Sequence, residues 1–301
     1  MRILVLGHTG YLGTHVAARL AALPGALVLG GGRSSSADVP VDLASDSVGR
    51  LSESLAAAAR RRQLRRSDWR RPDGARGGQR PRPGRALCGA GPSPSHRPPG
   101  ASGVGHRVRP HTDRVPASES AATRPVTVYG ATKLAGTVTV SDSGLDALVL
   151  RVGNPVGAGA PASGLPGRVC ALLRKTDTGP DAVLRLGDLS AYRDFVDVRD
   201  VARAVERAVT APGPLPPVLS AGNGEAVLVR DLVHRLADTA GSRGRIEEQG
   251  AGSARSEHIS WQCSDISAAA EVLGWRPTYS LARSLEALWS AGPHLEGDRP
   301  A

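Results

Sequence analysis

Cysteine and long apolar runs are both scarce in this sequence. Its 301 residues include three cysteines, Cys88, Cys170 and Cys263, which are odd in number and widely spaced. Such usage is typical of a reducing compartment and argues against a disulfide framework or a zinc site. No stretch reaches the roughly 18 apolar residues of a membrane-spanning helix, and the opening MRILVLG is too short for a signal peptide. We therefore expect a cytoplasmic protein that binds no metal and no membrane.

Acidic residues and large aliphatic residues are rare in one internal segment, from Arg60 to Val115. Between Arg60 and Val115 the chain has 15 arginines, no lysine and three aspartates, so this segment more than accounts for the net charge of +10. Proline and glycine are frequent there, and only five aliphatic residues are larger than alanine. Such a composition cannot bury enough apolar surface to offset its chain entropy. We predict that residues 59–115 are disordered, or that this part of the sequence is misread from its gene.

Nucleic acid is a conceivable ligand of this arginine-rich segment, because clustered cations bind phosphates. Base stacking would need aromatic side chains, however. The segment contains Trp69 as its one aromatic residue and has no repeated Arg-Gly-Gly motif. We therefore do not expect a nucleic-acid partner.

A glycine-rich turn follows the first predicted strand. Ile3–Leu6 are apolar, GHTGYLG occupies residues 7–13, and an amphipathic helix is predicted to continue to about Leu23. Between a strand and a helix, such glycines let the backbone approach a pyrophosphate, which then lies at the helix N-terminus. This context predicts a dinucleotide site, and we assign no general-base role to His8 within it. The candidate cofactor contacts are Gly7, Thr9, Gly10, Tyr11, Leu12 and Gly13.

The second predicted strand, Ala26–Gly31, is followed by Arg33 and Ser34 rather than by an acidic residue. An acid at this point favours NAD through the ribose hydroxyls, whereas a cation and hydroxyl groups suit the 2′-phosphate of NADP. We therefore favour NADP over NAD as the cofactor. A third strand is predicted over Val39–Leu43, which would place Asp42 and Leu43 near the adenine.

Tyr129 and Lys133 are four residues apart in a predicted helix, so both side chains lie on one face. A phenol alone is a poor acid or base at neutral pH. A neighbouring ammonium stabilises the phenolate and brings the group into a working range. We therefore predict that Tyr129 is the catalytic acid or base, with Lys133 beside it.

Three further motifs complete a family resemblance. They are Leu150–Gly157 (LRVGNPVG), Arg193–Asp200 (RDFVDVRD) and Leu273–Pro277 (LGWRP). Together with the glycine turn and the Tyr129 pair, they resemble the extended short-chain dehydrogenase/reductase family of nucleotide-sugar epimerases, dehydratases and ketoreductases. The resemblance implies that Asn154 and Arg193 bind substrate, with Arg193 on the diphosphate, and that Val156 lies near the nicotinamide. It also implies that homodimers are possible.

The resemblance implies an α/β fold with a Rossmann-type, doubly wound parallel sheet. Residues 1–155 would form the dinucleotide-binding domain. Residues 156–301 would form mainly a smaller substrate-binding lobe, with some segments returning to the first domain. Within the motifs, Asp197 or Asp200 could cap a helix beginning near Val201, while Trp275 is expected to be a packing residue.

Two strands that the resemblance implies are not visible in the sequence. One would end in an Asn-Cys-Ala-like turn, and the other would end in a Ser or Thr that binds the substrate oxygen. Both would fall within residues 59–115. Back-translation of ARRRQLRRSDW with GC-rich codons, shifted by one base, can give PDVVNCAGATG, an apolar strand followed by that turn. Our hypothesis is a compensated frameshift over about residues 59–115.

The resemblance is strongest to deoxysugar enzymes of antibiotic pathways. It implies that NADPH or NADH reduces the C4 ketone of a nucleotide-linked 4-keto-6-deoxyhexose and that Tyr129 protonates the new alkoxide. We expect the nucleotide of this substrate to be dTDP. One alternative is an epimerase or 4,6-dehydratase that recycles its NAD. Another is an inactive frameshifted relative, or a non-catalytic binding protein on the same scaffold.

Overall fold

A computed structural model describes residues 1–34, 37–42, 45–47, 49–50, 53–54, 86–89, 114–125, 128–142, 144, 146–176, 179–250 and 259–292. The chain divides into two compact units. The described residues up to 54 belong to the first unit, and those from 86 onward belong to the second. The predicted division at residue 155 stays a prediction.

The first unit alternates strands and a helix around one parallel sheet. Its elements in chain order are β1 (Arg2–Leu6), α1 (Tyr11–Ala21), β2 (Leu27–Gly32) and β3 (Val39–Pro40). The strands lie in the order β1-β2-β3, and both pairings are parallel. Leu4 and Leu29 pack against the buried Val39 and Val41, which joins all three strands in one apolar cluster.

The third strand is shorter than the predicted Val39–Leu43. It ends at Pro40, and one further bond to β2 runs from the N–H of Val41 to the carbonyl oxygen of Gly32 at 3.0 Å. Asp46 donates its backbone N–H to the carbonyl oxygen of Asp42 at 2.8 Å and accepts the N–H of Asp42 on its carboxylate, also at 2.8 Å. These local bonds replace ladder bonds to β2, so Asp42 lies in a turn rather than in a strand. Leu43 lies outside the described residues.

The second unit carries the remaining described elements. In chain order they are β4 (Ala86–Gly89), α2 (Val128–Ser141), β5 (Ala147–Val152), β6 (Asn154–Val156), α3 (Leu165–Lys175), β7 (Val183–Leu186), β8 (Tyr192–Asp197), α4 (Val198–Thr210), β9 (Val218–Ala221), β10 (Ala226–Leu228), α5 (Val229–Thr239), β11 (Arg245–Glu248), α6 (Ser267–Leu273) and α7 (Leu281–Ala291).

Parallel pairing dominates this unit as well. One sheet has the order β4-β5-β9, with both pairings parallel, and another has the order β10-β8-β6, in which β8 pairs parallel with β6 and antiparallel with β10. Strands β7 and β11 form a parallel pair. Parallel strands connected through helices are the arrangement of an α/β protein, as the sequence predicts.

Residues 59–115 are predicted to be disordered or misread, and Ala86–Gly89 within them form a strand. These residues form β4, which pairs with β5 from Ala86↔Ala147 to Gly89↔Leu150. ALCG is a short stretch without charge or proline inside the basic segment, so it can present a regular backbone to the hydrogen-bonding edge of β5. Residues 59–85 and 90–113 lie outside the described residues. The predicted disorder or misreading of those residues therefore stays a prediction.

Candidate active site

The glycine turn has the geometry of a dinucleotide cradle. Gly7 has φ +71°, and a Cβ added at Gly13 would lie 2.0 Å from the carbonyl oxygen of Gly7. Gly10 donates its N–H to that same oxygen at 2.9 Å, while the N–H of Gly7 reaches the carbonyl oxygen of Gly31 on β2 at 2.8 Å. No side chain caps α1 at Gly10, and the amides at a helix N-terminus attract an anion. The turn therefore fits a pyrophosphate.

The other predicted contacts of this turn lie where α1 begins. Thr9 is exposed, and Tyr11 and Leu12 are half-buried. The ring of Tyr11 meets that of His15 edge-on, with 5.9 Å between the centroids. All of these residues belong to the turn or to the first turn of α1, as the motif predicts.

The end of β2 carries no acidic side chain. It finishes on three glycines, and the exposed Arg33 follows with the half-buried Ser34. The carboxylate of Asp38, a few residues further on, accepts the N–H of Gly30 at 2.8 Å. Asp38 therefore supplies the acceptor for the N–H of Gly30, because β3 pairs only with the next two residues of β2, Gly31 and Gly32.

Tyr129 and Lys133 share one face of α2, as their spacing predicts. The ammonium nitrogen of Lys133 lies 5.2 Å from the centroid of the Tyr129 ring. At this distance a cation interacts favourably with the ring. The phenol oxygen of Tyr129 is inaccessible to solvent. The pair thus combines a sheltered hydroxyl with an adjacent positive charge.

Asn154 is held in one orientation at the start of β6. Its amide nitrogen donates to the backbone carbonyl of Asp194 at 3.0 Å and contacts the side-chain oxygen of Gln262 at 3.4 Å. A backbone carbonyl can only accept, so the nitrogen must face Asp194 and the carbonyl oxygen of Asn154 faces the other way. Gln262 was not predicted from the sequence. It follows Asn154 by 108 residues and lies in none of the family motifs.

Arg193 is a buried cation. It is 8% exposed and donates to the carbonyl oxygen of Tyr192 at 2.7 Å. Burial lowers the pKa of its guanidinium, and within the described ranges no carboxylate forms an ion pair with it. A buried charge is costly unless it is paired. This arrangement therefore suits an anionic ligand.

Asp194, next in the motif, binds two separate backbone segments. Its carboxylate is fully buried and accepts N–H groups from Asn223 at 2.6 Å and from Ser264 at 3.0 Å. A Cβ at Gly222 would lie 2.1 Å from the same carboxylate. Burial raises the pKa of Asp194, against the hydrogen bonds that lower it. Asp194 was not predicted as a site residue, yet its carboxylate holds the backbone of Asn223 and Ser264, and its backbone carbonyl holds the amide of Asn154.

A small polar cavity lies at the carboxyl ends of β5 and β9. Its lining residues are Ala117, Arg151, Val152, Ser220, Gln262, Cys263 and Ser264. Arg151 donates to the carbonyl oxygen of Glu119 at 3.1 Å, and the Glu119 carboxylate accepts the N–H of Ser220 at 2.7 Å. Burial raises the pKa of the Cys263 thiol to about 12, so this cysteine is not a thiolate nucleophile at neutral pH.

Val156 has a fully buried side chain and pairs with Asp197 across β6 and β8. The exposed fraction of the whole residue is 0%, so its predicted place near the nicotinamide stays a prediction. In the described part of the chain, no three His, Cys, Asp or Glu side chains group as metal ligands. The same residues include no helix that is long and apolar enough to cross a bilayer.

Sequence comparisons identify relatives of this chain. Residues 104–222 match the model of the NAD dependent epimerase/dehydratase family. A dTDP-6-deoxy-L-talose 4-dehydrogenase (NAD(P)(+)) of Kitasatospora kifunensis is 38% identical over 178 residues, which cover 58% of this chain and 56% of that protein. A dTDP-L-rhamnose 4-epimerase of Burkholderia thailandensis is 28% identical over 54% of this chain and 45% of its own length. The match thus spans about half the length of these curated relatives.

Solved structures of the same fold cover nearly all of the chain. RMD from Pseudomonas aeruginosa, complexed with NADPH, has a TM-score of 0.68 at 20% identity over 96% of this chain and 98% of that one. A UDP-glucose-4-epimerase from Stenotrophomonas maltophila, with bound NAD, has a TM-score of 0.66 at 20% identity over 97% of each chain. The Rossmann-type fold and the resemblance that the motifs predict are therefore confirmed. The chain therefore resembles the NAD dependent epimerase/dehydratase family over residues 104–222 and shares the fold of these solved enzymes.

Proposed function

We propose that this chain binds a nicotinamide dinucleotide and reduces the C4 ketone of a nucleotide-linked 4-keto-6-deoxyhexose. The observation that carries the proposal is the Tyr129–Lys133 pair, a sheltered phenol with an ammonium against its ring. The glycine turn of the first unit supplies a cradle that fits the pyrophosphate.

Tyr129 supplies the proton in the proposed reaction. When bound, the reduced nicotinamide supplies a hydride to C4. The phenol of Tyr129 donates its proton to the carbonyl oxygen, so the ketone becomes a secondary alcohol and the tyrosine is left as a phenolate. The positive charge of Lys133 stabilises that phenolate until solvent returns the proton.

NADP is the preferred cofactor in this proposal. Arg33 and Ser34 follow β2 and would face the 2′-phosphate, while the acidic group nearest in sequence, Asp38, is bound to the backbone of Gly30. A cation at this position accommodates the 2′-phosphate.

Arg193 and Asn154 would bind the nucleotide-sugar. Arg193 is a buried cation that suits the diphosphate. Asn154 offers its carbonyl oxygen as an acceptor for a hydroxyl group, because its nitrogen faces Asp194. The names of two relatives, both acting on dTDP-linked 6-deoxysugars, support a dTDP-linked substrate. A homodimer stays a prediction.

An epimerase that recycles tightly held NAD is the second candidate, and the match to a dTDP-L-rhamnose 4-epimerase favours it. The test is incubation with a dTDP-4-keto-6-deoxyhexose and NADPH while the absorbance of NADPH is followed. We expect NADPH consumption equal to the alcohol formed. Interconversion of dTDP-sugars without added dinucleotide would support the epimerase and overturn the reductase.

A further inference from the structure

Residues 114–121 precede α2 and are held by contacts with distant parts of the second unit. The guanidinium carbon of Arg114 lies 4.6 Å from the centroid of the Tyr192 ring at the start of β8, within the range of a cation–π contact. Ala117 pairs in parallel with Ser264, and its N–H and its carbonyl oxygen each form a backbone hydrogen bond of 2.9 Å there. These contacts fix the segment at its start and in its middle.

Glu119 joins the same segment to two neighbouring strands of one sheet. Its carboxylate accepts the N–H of Ser220 on β9 at 2.7 Å, and its backbone carbonyl accepts a hydrogen bond from the guanidinium of Arg151 on β5 at 3.1 Å. A hydrogen bond to a carboxylate is about twice as strong as a bond between neutral groups. Glu119 itself lies in a turn, in which Ala121 donates its N–H to the carbonyl oxygen of Ser118 at 3.1 Å.

The charge of Glu119 also stabilises Arg151. The side chain of Arg151 is buried, and burial lowers the pKa of its guanidinium, while the negative charge of Glu119 opposes that shift. A buried cation is costly unless a nearby charge or hydrogen bond compensates for it. Glu119 therefore serves two partners, the N–H of Ser220 and the guanidinium of Arg151.

The turn at residues 118–121 leads to the helix that carries Tyr129. This helix, α2, begins at Val128 and packs on β5, the strand that carries Arg151. Glu119 therefore connects the chain that enters α2 with the strand on which α2 rests. A misplacement of the reacting groups by about 1 Å can cost about 100-fold in rate, so such a connection bears directly on a proton donor in α2.

We propose that Glu119 is a positioning residue for proton transfer from Tyr129. Its bonds to β9 and β5 fix the segment that leads to α2, and through it the place of the phenol relative to the substrate. Other bonds hold the proposed substrate contacts Asn154 and Arg193, and the glycine turn belongs to the first unit. Loss of Glu119 should therefore affect turnover rather than binding. This inference rests on the reduction proposed above.

The test compares three substitutions of Glu119 in the full chain. Glu119→Gln keeps the length of the side chain and an acceptor oxygen. Glu119→Asp keeps the charge but is one methylene shorter, and Glu119→Ala removes both the charge and the acceptor. The control is Glu225→Gln, at an exposed position between β9 and β10. Initial rates with NADPH and a dTDP-4-keto-6-deoxyhexose give kcat and the KM of each substrate.

The expected pattern is a change in kcat without a change in KM. We expect kcat to fall about 10- to 100-fold in Glu119→Ala and in Glu119→Asp, with both KM values within about twofold of wild type. Glu119→Gln should recover most of the turnover, because its oxygen can still accept the N–H of Ser220. The pH–rate profile should keep its shape in every variant, since Tyr129 and Lys133 still supply and stabilise the proton donor.

Three results would overturn the inference. Wild-type turnover in Glu119→Asp together with a low kcat in Glu119→Gln would show that charge matters and position does not. A parallel change of kcat and both KM values would leave Glu119 a residue that only supports the fold. A shifted pH–rate profile would make Glu119 a proton-transfer group itself. The comparison of Glu119→Gln with Glu119→Asp holds even if Glu119→Ala does not fold.

Amide hydrogen exchange tests the same connection without any reaction. In Glu119→Ala we expect faster exchange than in wild type at residues 118–125 and in the first turns of α2, with β7 unchanged as an internal reference. Unchanged exchange at the start of α2 would overturn the inference. A wild-type chain that reduces no ketone, combined with the expected exchange in Glu119→Ala, would overturn the proposed function but support the link between Glu119 and α2.

Discussion

The indole nitrogen of Trp275 donates a hydrogen bond to the backbone carbonyl of Asp200 at 3.0 Å. The carboxylate of Asp200 in turn accepts the N–H groups of Thr278 at 2.9 Å and Tyr279 at 3.0 Å. Trp275 and Asp200 are both fully buried. RDFVDVRD and LGWRP, two separate motifs in the sequence, are therefore one structural unit.

Asp200→Asn should destabilise the fold. The backbone N–H groups of Thr278 and Tyr279 both bind Oδ2 of Asp200, while Oδ1 accepts from Arg203 and from the hydroxyl of Thr278. The amide puts an NH2 group in place of one of these two oxygens, so one set of donors loses its charged acceptor. We expect a loss of about 1.5–3 kcal/mol in the free energy of unfolding, measured by urea denaturation followed by tryptophan fluorescence. Glu271→Gln removes a charge at an exposed position of α6 and is the matched control. An equal effect of both variants would contradict the role given to Asp200.

Asp197 should make stability depend on acid. Burial raises the pKa of this carboxyl, but hydrogen bonds from Arg199 and Ser284 outweigh burial and hold the pKa below its ordinary value. Its stabilising contribution is therefore complete above the ordinary value of about 3.9. It is lost as the pH falls through the lower value of the folded state.

Asp197→Asn tests this dependence. We expect the variant to be less stable than wild type at pH 5 and the difference to shrink on acidification below about pH 4. Free energies of unfolding at several pH values measure it. A difference that stays constant down to the acid limit would show that Asp197 acts only as the N-terminal cap of α4, where it accepts the N–H of Arg199.

Lys133→Met should lower turnover and move the pH dependence of the reverse reaction. Without the ammonium, the phenolate of Tyr129 is less stable, so oxidation of the alcohol should require a higher pH. The control is Lys175→Met. Lys175 is the other lysine of the sequence, and it is exposed at the C-terminal end of α3. An unchanged pH–rate profile in Lys133→Met would contradict the assigned role.

The frameshift hypothesis makes a prediction about the gene. We expect resequencing across codons 55–126 to reveal two compensating insertions or deletions, and the intact mass of the purified protein to differ from that of the present sequence. The family match covers residues 104–222 and leaves most of the basic segment outside it, as a shifted frame there would. An unchanged sequence and mass would refute the frameshift.

Local motifs were the most predictable part of the molecule. The glycine turn, the Tyr129–Lys133 spacing and the first two strands depend on neighbouring residues, and the structure places them as the sequence predicts. Asp197 caps α4, and Trp275 is buried, also as expected. The helix begins at Val198 rather than near Val201, because its cap is Asp197 and Asp200 turns instead to the C-terminal segment.

Contacts between distant segments were not predictable. Gln262 meets Asn154 across 108 residues, and Asp194 binds Ser264 across 70 residues. No periodicity or motif connects such positions in one sequence. Strand β4 was missed for a related reason. Its four residues form a strand by pairing with β5, a partner that lies far away in the sequence. The amino-acid composition of the residues around β4 predicts disorder instead.

The most direct test of the account is transfer of deuterium from NADPH labelled on the nicotinamide to a dTDP-4-keto-6-deoxyhexose. Mass spectrometry and proton NMR of the product locate the label. We predict one deuterium at C4 and a loss of rate of about 100- to 10,000-fold in Tyr129→Phe, with Tyr279→Phe, whose ring packs under Arg199, close to wild type. A product without deuterium at C4, or a Tyr129→Phe variant as fast as wild type, would contradict the assignment of this chain as a nucleotide-sugar ketone reductase.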